Sequence, residues 1–83
     1  MDDREFISDV RRKVLVWQSD YSDAGKTFQG VYGSVAALLE KELLKIEMDF
    51  RRRFGFLVDR EGIGIEYRVK AILDSCDKKE KEI

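Results

Sequence analysis

The apolar residues between Tyr32 and Leu57 constrain this chain more than any other feature. Tyr32, Val35, Leu39, Leu43, Ile46, Phe50, Phe54 and Leu57 recur three or four residues apart. That spacing follows the 3.6-residue turn of an α-helix, so these side chains form one stripe. Val31, Leu38 and Leu44 widen it, and Glu40, Lys41, Glu42, Lys45, Glu47 and Asp49 occupy the remaining faces. A helix from about Phe28 to Phe54 is expected, ~40 Å long. Gly55 suits its left-handed stop, with Arg51, Arg52 and Arg53 placed where the helix dipole favours cations.

A second stripe precedes it. Ile7, Val10, Val14, Trp17 and Tyr21 share a face, and Asp2 with Glu5 three residues later reads as a capping box. Serine, aspartate and glycine between Ser19 and Lys26 predict a loop, which makes the two helices an antiparallel hairpin. The longer helix then needs cover at its far end. Ile65, Val69, Ile72 and Cys76, with Leu73 beside them and Glu66 and Lys70 one turn apart, predict a third helix from about Ile65 to Lys79. An alternative exists there. Ile63, Ile65, Tyr67 and Val69 also alternate with a period of two, and Asp59-Arg60-Glu61-Gly62 suits a tight turn. A β-hairpin at about 56–69 would give an α+β fold. The helix explains more residues and an isolated hairpin is marginal, so the expectation is all-α. Residues 1–83 form a single small helical domain in this reading, with a charged segment at 78–83 that frays.

Eighty-three residues bury too little surface for ample stability. Small domains compensate with disulfides, metals or association. One cysteine, Cys76, excludes an internal disulfide, and the absence of histidine removes the usual zinc ligand and the imidazole base. The acidic opening and the lack of a long apolar run predict neither a secretory signal nor a membrane span. The lone cysteine fits a reducing compartment, so a cytoplasmic protein is expected.

Chemical motifs are few. Ala24-Gly25-Lys26-Thr27 ends like a phosphate-binding loop, but Asp20 stands where the first glycine belongs, and its carboxylate would repel phosphate. The loop acids Asp20 and Asp23, and Asp59 and Glu61, converge with no other polar group in the sequence. No enzyme, no cofactor and no metal site is expected. Arg51, Arg52 and Arg53, joined by Arg60, Arg68 and Lys70, are candidate nucleic-acid contacts. Against them, 16 basic and 17 acidic residues leave a net charge of -1, which weakens steering toward a polyanion. Acids at the start of the first helix are also expected to neutralise Arg51 or Arg52.

The apolar supply itself points elsewhere. Leu15, Val16, Val31, Leu38, Leu44, Met48 and Val58 lie off the main stripes, and Gly30 and Gly33 invite close packing at the start of the second helix. A protein-binding module is expected, forming a homodimer. Trp17, Tyr21, Tyr32, Phe54 and Phe56 are its expected anchors, and Arg51, Arg52 and Arg53 its polar rim. In size and style the chain resembles accessory proteins encoded by phages and mobile elements. These include inhibitors of bacterial defence, such as anti-CRISPR proteins, and small transcription regulators. No specific residue carries the resemblance, which implies a stoichiometric inhibitor or regulator that occludes its partner.

Overall fold

The structure, a computed structural model, describes residues 1–27, 32–59, 62 and 64–83; side chains are described for 1–23, 37–59, 62 and 64–83. It consists of α1 (Asp3–Thr27), α2 (Tyr32–Phe54) and α3 (Ile65–Glu82), and no strand occurs among the described residues. The chain is all-α. The Asp2 carboxylate accepts a hydrogen bond from the Glu5 amide at 2.8 Å, which satisfies one of the free amides opening α1. At the same end of the hairpin, where α2 stops, Gly55 adopts φ 77° and donates its amide to the Arg51 carbonyl. A side chain would strain that left-handed conformation.

The sequence stripes become the core. Ile7, Val10, Val14 and Trp17 of α1 meet Leu39, Leu43, Ile46 and Phe50 of α2 and Val69, Ile72 and Cys76 of α3. Arg53 pairs with Asp3, and Phe6 meets Phe54 edge-on at 5.5 Å, while Trp17 donates its indole N–H to the Leu39 carbonyl. These contacts set α1 antiparallel to α2. Arg11 bonds Asp77 and Glu80 of α3 at 2.7 and 2.6 Å. Arg68 pairs with Glu47, and Lys79 lies 5.2 Å from the Phe54 ring centre, so α3 advances in the same direction as α2.

Two parallel helices in succession require the connection to travel back along the bundle. The level of Lys79 lies about 21 Å from that of Ile65, within the ~33 Å that ten extended residues can span. Phe56 packs edge-on against Phe50 at 5.5 Å, and the Val58 amide donates to the Ser75 hydroxyl at 2.8 Å. Ser75, wholly buried, passes its own hydrogen to the Ala71 carbonyl. Residues 56–59 are thus a strap along α3. The β-hairpin alternative at 56–69 is not what forms: Ile65, Tyr67 and Val69 belong to the first turns of α3, residues 56–59 form no strand, and Ile63 lies outside the described residues.

Two further expectations differ. The loop predicted for Ser19–Lys26 is helical, because α1 continues to Thr27. Tyr21 stacks on Trp17 at 5.0 Å, a one-turn aromatic pair that favours the helix, whereas serine and aspartate disfavour it by only a few tenths of a kcal/mol each. Ala24-Gly25-Lys26-Thr27 accordingly belongs to the last turns of α1. The charged segment at 78–83, expected to fray, is helical through Glu82; Lys78 lies over Phe56, and Lys79 pairs with Glu82. The expectations for Gly30 and for the turn at Arg60 and Glu61 fall outside the described residues.

Candidate functional site

Most of the expected aromatic anchors are occupied inside the bundle. Trp17 is 3% exposed, and its N–H is taken by Leu39. Tyr21, half-buried, lies on Trp17; Phe54 and Phe56, also half-buried, frame Phe50 at 4.9 and 5.5 Å. Tyr32 opens α2, and its side chain lies outside the described residues. Aromatic size made these residues attractive as anchors. The same size makes them the best filling for a small core.

The apolar surface lies with smaller residues. Leu15, Val16, Leu38, Leu44 and Met48 are 40 to 63% exposed, as expected from their positions off the stripes, and Tyr67 is 41% exposed. Val58, expected among them, is half-buried instead, because its strap lies along α3, and Val31 falls outside the described residues. Two groupings emerge. Leu44 and Met48 are one turn apart on the outer side of α2, flanked by the exposed Lys41, Arg51 and Arg52. Val16 lies in a groove of about 280 Å³ between α1 and α2, floored by Trp17 and Ile46. Leu38 continues the α2 stripe of Glu42, Lys45 and Asp49 that lines the same groove.

A larger cavity, about 920 Å³, lies between the second half of α1 and the start of α3, over Trp17, Tyr21, Ile65 and Val69. Its floor is mostly covered, since Trp17 and Val69 are buried.

The basic residues do not gather into one surface. Arg53 pairs with Asp3, donates to the Met1 carbonyl and lies 4.8 Å from the centre of the Phe6 ring. Arg53, rather than Arg51 or Arg52, is therefore the cation that meets the acidic start of α1. Glu47 accepts hydrogen bonds from Nε and Nη2 of Arg68, which raise the guanidinium pKa further. Arg51 shares a second groove with Arg68, where Glu47 and Asp59 offset them. Arg52 and Lys70 are exposed, and Arg60 lies outside the described residues.

Among the described residues, no group of three or more acids and cysteines is placed to hold a metal ion, and every buried side-chain polar atom has a partner. Burial raises the Cys76 thiol pKa to about 11, which keeps it protonated and a poor nucleophile. No described helix is long and apolar enough to cross a membrane. Compared with family profiles, curated protein sequences and solved structures, the chain matches none.

Proposed function

We propose that this chain is a non-enzymatic helical module that binds another protein and occludes it, as small regulators and stoichiometric inhibitors do. The outer face of α2 carries this reading: Leu44 and Met48 are 46 and 40% exposed one turn apart, between Lys41 on one side and Arg51 on the other. An unbranched methionine beside a leucine adapts to an uneven apolar pocket, and the flanking cations favour a partner with an acidic rim. The face belongs to a helix whose other side is fixed in the core, so little ordering is lost on docking.

The test uses a chain carrying Leu44→Glu and Met48→Glu. Both positions face outward, so helicity and melting are expected to match the native chain. A partner captured by the native chain in its source cell is expected to bind this variant at least ten-fold more weakly, as for loss of a central apolar contact. Equal affinity of the captured partner for both chains would overturn the assignment of this face.

A further inference from the structure

We propose that the groove between α1 and α2 is the seam of a homodimer, in which α1 of each copy packs antiparallel against α2 of the other. The proposal deepens the protein-binding reading by naming one partner, a second copy, and it uses a face other than that of Leu44 and Met48. Arg11 and Glu47 hold α3 on one side of the hairpin. The groove opens along α1 and α2 between Arg12 and Asp20 and between Glu42 and Asp49, and Val16 remains 53% exposed there. Leu38, 63% exposed, follows one turn before Glu42.

The contacts inside the chain fix the register. Trp17 is level with Leu39, and Asp3 with Arg53. At the same levels, Val16 comes opposite the Leu38 turn, Lys13 opposite Glu42, and Asp9 opposite Lys45. A two-fold axis parallel to the helices places α1 of one copy over α2 of the other while keeping those levels. Val16 then meets the partner's Leu38, Lys13 meets the partner's Glu42, and Asp9 meets the partner's Lys45. Each contact occurs twice. The result is a four-helix layer with both α3 helices outside it. It closes on itself, as an isologous interface must. Lys13 and Glu42, and Asp9 and Lys45, are opposite in charge across this seam, with Asp9 also holding Arg12 and Lys13 of its own helix, and that complementarity selects a second copy over other occupants.

Sedimentation equilibrium of the full chain tests the seam. The native chain is expected to show a concentration-dependent mass twice 9.7 kDa. Val16→Glu with Leu38→Glu is expected to weaken association at least ten-fold while circular dichroism shows the fold retained. Charge exchange makes the register testable. Lys13→Glu alone and Glu42→Lys alone each place like charges opposite one another twice, and each is expected to dissociate. Mixed in equal amounts they restore two opposite pairs and are expected to form a heterodimer. The inference, a dimer with a Kd of about 10 µM or tighter, is overturned by a monomer at ~100 µM, where such a dimer is largely assembled. It is equally overturned by a dimer indifferent to these changes, or by a mixture that fails to associate. Leu44→Glu with Met48→Glu is expected to leave the dimer intact, so failure of this seam and failure of the outer α2 face are read separately.

Discussion

Replacing Arg68 by methionine should expose the cost of an unpaired acid inside this bundle. Glu47 is 7% exposed, and both of its carboxylate oxygens accept from Arg68, through Nη2 and, at 3.3 Å, through Nε. Methionine keeps much of the packing stem and removes every donor. Breaking a fully buried pair costs about 3–5 kcal/mol. Here the Arg68 side chain is 34% exposed, so water already screens the pair and reaches the acid once arginine is gone. A loss of about 2 kcal/mol is expected, close to the penalty for an unsatisfied buried polar group. In a chain of this size that corresponds to a fall in melting temperature of roughly 8–16 °C. The double variant Glu47→Met with Arg68→Met removes both partners and should return to within about 0.5 kcal/mol of the native chain. Urea unfolding followed by the fluorescence of Trp17, the sole tryptophan, measures all three chains. The reasoning is refuted if Arg68→Met is neutral, which would mean that water carries the interaction. It is refuted too if the double variant is as unstable as the single, which would assign the loss to packing.

Further outcomes follow from the buried thiol and the positive-φ glycines. Cys76 has its pKa raised from 9.0 to about 11, chiefly by burial. Its contribution to stability is therefore complete below pH 9.0 and is lost as pH rises through about 11, because the unfolded thiol ionises first. Alkylation at pH 8 should be slow in the native chain and fast in denaturant; rapid native labelling would contradict the burial. Gly55→Ala meets nothing within 4 Å but must hold φ 77°, so a loss of about 1 kcal/mol is expected in denaturant titration. Gly62→Ala must hold φ 127° and also displace the Tyr67 ring, which is exposed and able to swing away. It should therefore lose at least as much, and a neutral Gly62→Ala would refute the strain.

Much of the fold was legible because helix burial is periodic. Eleven of the buried core residues, from Ile7 to Cys76, lie on the three stripes read from the sequence. The Asp2 cap and the Gly55 stop were equally legible, since each rests on neighbours within four residues. Ser19–Lys26 was misread because local preferences of serine, aspartate and glycine were weighed without the Trp17–Tyr21 stack that runs through them. The Ser75 hydroxyl that secures the strap gave no signal, because its partner Val58 lies 17 residues away.

The sites divide in the same manner. The sequence identified Leu15, Val16, Val31, Leu38, Leu44, Met48 and Val58 as surplus to the core; of the described ones all are exposed except Val58, which the strap half-buries. It also nominated the large aromatics as anchors, and the bundle uses the described ones for its own packing. Periodicity assigns each side chain an angle about its own helix axis, which decides what is buried and what is left over. It carries no information on how two axes are placed relative to each other. Tertiary packing alone decided that α3 runs parallel to α2, that Arg53 rather than Arg51 or Arg52 reaches Asp3, and that Val16 and the Leu38 stripe flank one groove. Each of these depends on contacts between residues distant in the chain, chosen by shape and charge after the helices have formed.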